Sequence, residues 1–263
     1  MTNIHPTAIV DPQAELGNGV EVGPYAVIEG NTVIGDGTTI GPQAYIASGT
    51  RLGANCRVFK GAVLGTVPQD LKFGGEESLL EIGPHTTIRE FATLNRGTRE
   101  AGVTRIGAHC LLMAYVHVAH DCLIGDHVIL ANAVNLAGHV KIEDWVSIGG
   151  MTPVHQFVRI GCHAFVGGGY RVSKDIPPYI LASGEPLQFT GLNTVGLKRR
   201  NFSSELMLML KRVYRLIFRS GKNVSQALEA IEAEFEMTPE IRHIVEFIRN
   251  SERGIIRGRS TAP

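Results

Sequence analysis

Apolar residues recur along this chain at every sixth position. From residue 106 to residue 172 the series reads Ile106, Leu112, Val118, Ile124, Leu130, Leu136, Ile142, Ile148, Val154, Ile160, Val166 and Val172, with no polar residue at any rank. A period of six matches neither the roughly 3.6 of an α-helix nor the alternation of a strand, and it marks a hexapeptide β-helix. The same phase starts at Ile4, runs through Val10, Leu16, Val22, Ile28, Ile34, Ile40, Ile46, Leu52, Val58 and Leu64, and resumes at Ile82, Ile88 and Leu94. Only Asp70, Glu76 and Glu100 break it.

Within each hexad a second inward residue stands two places before the rank, and the polar or glycine residues between form a turn, as in Ile34-Gly-Asp-Gly-Thr-Thr-Ile40. The three failures fall in two loop-like stretches, 65–81 and 95–105, rich in Gly and charge. Because the phase survives both, they read as excursions from one continuous coil. Long ordered loops are more often functional than idle, and the first is the stronger candidate.

After Val172 the period stops at Ile176-Pro-Pro-Tyr179, and 179–196 reads as an irregular connection. Leu206, Met209, Leu210, Val213 and Ile217 then form a helical stripe ended by Gly221. A second helix carries Leu228, Ile231 and Phe235; a third opens at Thr238-Pro-Glu240 and runs to about Gly254, with 255–263 frayed. The expected fold is mainly β: a parallel β-helix over 1–190 with loop excursions, then a small C-terminal α-helical domain over 191–263.

Composition narrows the function classes. With 25 basic and 25 acidic residues the chain has no net charge, so nucleic-acid binding has no electrostatic support. Residues 1–10 lack a basic start followed by an apolar core, and no apolar run approaches the roughly 20 residues of a spanning helix, so a cytoplasmic chain without membrane insertion is expected. Cys56, Cys110 and Cys122 each stand two places before a rank, as small inward-facing residues, while Cys162 lies at another phase near a turn. No Cys-x-x-Cys spacing suggests a metal.

The histidines are unevenly placed. If three hexads close a coil of 18 residues, His120, His139 and His155 fall at or beside one corner of three successive coils, with Gln156 in register with His120 and Gly138 one coil above it; His117 points toward the same face. Turn positions also collect His by chance, as at His109, His127 and His163. A column of imidazoles is nonetheless a natural source of a general base, with Asp121 to orient it and the Gly138 N–H as an oxyanion donor. That set suits acyl transfer onto a hydroxyl. A convex prism cannot enclose a ligand, so the missing wall must come from a loop or another subunit. Between residues 193 and 219, Lys198, Arg199, Arg200, Lys211, Arg212, Arg215 and Arg219 face a single acid, Glu205. A solvated helix face is one reading; an acidic partner or a phosphate held by Arg199 and Arg200 is the other.

Met113-Ala-Tyr-Val-His-Val-Ala-His-Asp-Cys122, Leu136-Ala-Gly-His-Val140, Gly149-Gly-Met-Thr-Pro-Val-His-Gln-Phe157, Pro68-Gln-Asp-Leu-Lys72 and Gly196-Leu-Lys-Arg-Arg200 together resemble the UDP-N-acetylglucosamine O-acyltransferase family, which catalyses the first step of lipid A synthesis. The resemblance spans nearly the whole chain. It implies 18-residue left-handed coils, a homotrimer with sites between subunits, and transfer of a 3-hydroxyacyl chain from acyl carrier protein to the glucosamine 3-hydroxyl of UDP-N-acetylglucosamine. On matching positions it implies His120 as base, Asp121 as its support and Gly138 as oxyanion donor. Gln69, Asp70 and Lys72 would meet sugar or phosphate, and His117, His139, His155 and Gln156 would line the site. Asn193, Arg199 and Arg200 would contact the nucleotide, with the basic helices receiving the carrier. Gly168 matches a position that limits acyl length, and glycine there leaves room for a longer chain. No metal or dissociable cofactor is implied, because the 4'-phosphopantetheine arm arrives on the carrier. Asn95 stands where some relatives have His, and Val195 where some carry an acid.

Three other readings compete. The related N-acyltransferase of the same pathway makes an amide instead of an ester. A metalloenzyme resembling the γ-class carbonic anhydrases uses the same prism and intersubunit His, here His117 and His120. A non-catalytic scaffold leaves the polar column unexplained.

Overall fold

The computed structural model describes residues 2–258. Short parallel strands, mostly of two residues, build three sheets, one of twelve strands and two of eight. Asn3 pairs with Glu21 and Ile4 with Val22, so one coil takes 21 − 3 = 18 residues, or three hexads. Leu111–Leu112, His117–Val118 and Leu123–Ile124 are the three strands of one coil, on what we term the first, second and third walls.

Neither loop breaks the stack. Leu52 pairs with Ile82, 82 − 52 = 30 residues on, and Ile82 with Ile106, 106 − 82 = 24 on. The first loop therefore adds twelve residues to a coil and the second six, which is why the hexad phase persists. Both loops leave the second wall and re-enter at the third: Val63–Thr66 leads to Leu79–Ile82, and Thr93–Asn95 to Val103–Ile106.

The ranks fill the prism. Ile28, Leu64, Leu94, Leu112 and Leu130 are among its fully buried side chains, and the smaller residues two places earlier, including Ala26, Ala62, Cys110 and Cys122, complete the layers. All four cysteines are free. Threonines at these inner positions satisfy their hydroxyls on neighbouring carbonyls, Thr38 on Gly53 and Thr86 on Gly107, both at 2.9 Å, so these two buried hydroxyls stay paired. At the corners the second turn residue lies in the left-handed region, as at Asp121 (φ 60°), His139 (φ 61°) and Phe157 (φ 64°). Repetition of that conformation stacks corner side chains coil upon coil.

The C-terminal part differs from expectation in several places. The segment read as irregular holds an antiparallel pair, Ile180–Ser183 with Gln188–Leu192, which extends the first wall. Helix α1 (Thr194–Arg199) follows, capped by the Asn193 side chain. Both elements are too short for a periodicity argument to resolve. Helix α2 (Ser204–Arg219) buries Leu210, Val213, Tyr214 and Ile217, and the Tyr214 hydroxyl donates to Pro178 O at 2.6 Å. Helix α3 (Val224–Glu234) has an Asn223–Gln226 capping box. Helix α4 (Pro239–Arg249) starts at the Thr238 cap as expected but stops at Arg249, where the Asn250 N–H closes back on Glu246 and Ile248. The segment expected to fray is held: Ile256 is buried, its N–H donates to Asp175 O at 3.0 Å, and Arg257–Gly258 pairs with Gln188 and Phe189. Residues 259–263 of that expected tail lie outside the described residues.

Candidate active site

The corner between the second and third walls gathers the candidate catalytic residues. Its turns stack as His120-Asp121, Gly138-His139 and Gln156-Phe157, and both loops emerge from the same corner in the coils below. The His139 N–H donates to His120 O at 3.1 Å and the Phe157 N–H to Gly138 O at 3.2 Å, which fixes the coils in register.

Asp121 organises this corner. Its carboxylate is fully buried, with Oδ1 accepting from the Thr98 N–H at 2.8 Å and Oδ2 from the Thr98 hydroxyl at 2.6 Å and from His120 Nδ1 at 2.8 Å. Burial alone raises a carboxyl pKa. Here the hydrogen bonds from Thr98 and His120, aided by His139, outweigh it and hold Asp121 below the usual carboxylate range. An ionised carboxylate only accepts, so His120 Nδ1 carries a proton, and in the neutral imidazole the lone pair is on Nε2. The result is an imidazole poised as a base.

Gly138 lies against that ring. A Cβ at this position would come within 2.7 Å of His120 Cε1 and 2.8 Å of Nε2, so only glycine accommodates the imidazole here. The Gly138 N–H has no acceptor among the described residues. His139 stands edge-on to His120 with centroids 5.1 Å apart and stacks on Phe157 at 4.6 Å, while its Nε2 is 3.6 Å from both Asp121 Oδ2 and Glu100 Oε2. His120, Asp121 and His139 could in principle offer ligand atoms to a cation. The Asp121 oxygens are already taken by three donors, however, which fits proton transfer better.

The other expected residues are distributed. His155 and Gln156 top the same corner. His117 points out from the second wall, bonded through Nδ1 to Thr93 at 2.8 Å, and burial lowers its pKa. Gln69, Asp70 and Lys72 lie on the first loop, whose bonds run to the second loop, as from the Arg99 N–H to Glu76 at 2.9 Å, and not to the histidines. Gly168 sits at the corner between the first and second walls, with its backbone against Gly150. Asn193, Arg199 and Arg200 lie at the third corner, across the third wall from His120. There Asn193 donates to His163 O at 2.9 Å and the Arg200 guanidinium covers Trp145 at 4.6 Å.

Residues 31–66 and 104–138 match the profile described as bacterial transferase hexapeptide (six repeats), and residues 175–256 that described as UDP N-acetylglucosamine O-acyltransferase, domain 2. The acyl-[acyl-carrier-protein]–UDP-N-acetylglucosamine O-acyltransferase of Janthinobacterium sp. (strain Marseille) is 51% identical, over 98% of this chain and 100% of its own length. That of Chlorobaculum parvum is 57% identical over 97% of each. This chain belongs to the UDP-N-acetylglucosamine O-acyltransferase family. The solved family member from Bacteroides fragilis superposes with a TM-score of 0.95 at 49% identity, covering 97% of this chain and 100% of that one. The fold of this O-acyltransferase is accordingly the left-handed parallel β-helix with a small helical C-terminal part.

Sequence reasoning missed several residues in and around the candidate site. Thr98 and Glu100 belong to the second loop, and the expectation had favoured the first. His109, His127 and His163, read as chance turn residues, belong to a stacked ladder at the third corner that also takes in His85, Trp145 and Tyr179. Their 18-residue spacing from 109 to 163 was the signal that could have revealed it. Burial, with the Arg200 charge beside it, brings the His163 imidazole down to about 4 against the pull of Asp144.

Proposed function

We propose that this chain transfers a 3-hydroxyacyl group from acyl carrier protein to the glucosamine 3-hydroxyl of UDP-N-acetylglucosamine, the first step of lipid A biosynthesis. The observation that carries the mechanism is the Asp121–His120 pair lying over the Gly138 backbone. His120 Nε2 takes the proton of the sugar hydroxyl as its oxygen attacks the thioester carbonyl. The Gly138 N–H receives the charge on the tetrahedral oxygen. Collapse expels the pantetheine sulfur, which takes the proton back from His120. The products are the sugar ester and the carrier thiol, and no dissociable cofactor enters.

The position of the remaining residues supports a site shared between copies in a homotrimer. Base and nucleotide-binding arginines occupy different corners of one prism, and a neighbour's third corner would bring Asn193, Arg199 and Arg200 toward the loops and His120. Gln69, Asp70 and Lys72 would close over sugar and phosphate, with His117, His139, His155 and Gln156 along the acceptor and acyl path. Lys211, Arg215 and Arg219, exposed on one face of α2, line a cavity of about 740 Å³ with Phe189 and Leu192 and would seat the acidic carrier. Gly168 would leave space for a long acyl tail. Among the described residues no helix is long and apolar enough to cross a membrane, and we place the reaction in the cytoplasm.

The test is turnover of UDP-N-acetylglucosamine with a series of 3-hydroxyacyl carriers. His120→Ala is expected to abolish it while UDP-sugar binding persists; equal loss of both would remove His120 from the role of base. An amide product would favour the N-acyltransferase, and loss of activity with chelator the metalloenzyme.

A further inference from the structure

Away from the acyl-transfer corner, three metal-ligating side chains of different kinds converge where helix α4 meets the coils. Glu143 follows the strand Lys141–Ile142, Cys162 sits in a turn of the third corner one coil above, and His243 projects from the middle of α4. One ligand atom from each, a carboxylate oxygen, Sγ and an imidazole nitrogen, lies within 4.8 Å of the others. Glu143 Oε2 is 2.7 Å from His243 Nε2 and accepts the Cys162 N–H at 2.8 Å, so the carboxylate is aimed by the backbone of the residue that bears the thiol.

Cys162 is out of pattern here. The other three cysteines are buried inner residues of the coil. At this corner the rank below it holds a ladder of acids: the Ala108 N–H donates to Asp126 Oδ1 at 2.7 Å and the Asp126 N–H to Asp144 Oδ1 at 2.8 Å. The next rung, 18 residues on, is Cys162. A thiol therefore stands where the two rungs below carry an acid, and it faces the His243 imidazole and the Glu143 carboxylate. Holding α4 by an ion pair would need only Glu143 and His243.

We infer that Glu143, Cys162 and His243 form a binding site for zinc, joining the upper coils to α4. Sulfur, nitrogen and a single carboxylate suit zinc and exclude calcium and magnesium, which require oxygen donors. The His243 and Glu143 side chains are 37% and 30% exposed, giving the ion an entry path and a water a fourth position. The Glu143–His243 hydrogen bond would open slightly to admit it. His120 lies on another corner, and although Cys162 adjoins His163, whose carbonyl holds Asn193, none of the three ligands takes part in the proposed acyl transfer.

Cobalt is the probe, because its bond to a thiolate gives a near-ultraviolet charge-transfer band that the imidazole–carboxylate set at His120, Asp121 and His139 cannot produce. Full-length protein stripped with chelator is titrated with cobalt, then zinc. One equivalent of cobalt is expected to raise the band and zinc to remove it. Cys162→Ser abolishes the band, and His243→Gln weakens zinc binding by about tenfold or more. Circular dichroism of each variant separates lost binding from lost folding. No band in the wild type, or an unchanged band in Cys162→Ser, overturns the site and leaves the acyltransferase reading intact.

Discussion

Thr98 reaches Asp121 through both its N–H and its hydroxyl, and it meets His120 through their shared acceptor, Asp121 Oδ2. It acts as a positioning residue for the base. A hydrogen bond to a charged group contributes roughly 1.5–3 kcal/mol, so Thr98→Val is expected to lower kcat by about 10- to 100-fold while KM for the sugar nucleotide changes little; a steady-state kinetic split checks this. Thr98→Ser should restore most of the loss. Asp121 also sets a pH signature. Its folded pKa is depressed, so its contribution to stability is present above the unfolded carboxylate value of about 3.9 and is lost as pH falls through the lower folded value. In melts across acidic pH, the stability gap between wild type and Asp121→Asn is expected to close below about pH 4. His120 was legible because it falls in one column with His139 and His155 when the chain is read in coils of eighteen, and Asp121 because it adjoins that column. Thr98 was not, because a loop residue carries no periodic position.

At the scale of elements, the two loops form one assembly. Asn95 is buried at the root of the second, and its Nδ2 donates to Thr66 O, Thr66 Oγ1 and Val67 O at the root of the first. Asn95→Ala would leave those acceptors without their shared donor. A loss of about 1–3 kcal/mol is expected, measured by urea denaturation, with sugar-nucleotide affinity falling as the loops separate. Strands and loops were readable from the sequence because each hexad repeats the same inside–outside choice and charge at a rank betrays departure from it. The hairpin after Tyr179 and helix α1 were not, since a few residues of alternation or one helical turn look alike when tertiary packing decides. The main helices announced themselves through caps and stripes, as at Thr238-Pro239 and Leu210, Val213 and Ile217.

For the molecule as a whole, the distribution of residues over three corners leads to a mixing experiment. If a site combines His120 of one copy with Arg200 of the next, inactive His120→Ala and Arg200→Ala chains refolded together at equal ratio regain activity. Random trimers would carry roughly a quarter of competent sites. No regain, with trimers confirmed by sedimentation, would place both residues in one copy's site. Gly168 gives a second readout at this scale: Gly168→Met is expected to shift preference toward shorter acyl carriers, seen by competing chain lengths in one reaction. One chain's sequence could not show which copy supplies each corner, because hexads specify height along the prism and say nothing of its neighbours.

Each storey closes after eighteen residues, so length along the walls is quantised. A single extra codon within a strand would turn that strand's greasy side chains toward water, six extra would carry everything above it one wall round, and only eighteen would add a storey with every corner kept in column. Variation tolerated in the walls beneath the histidines should therefore come in eighteens, whereas the canopy over the substrate, which leaves the prism, can grow or shrink without moving the base from its post.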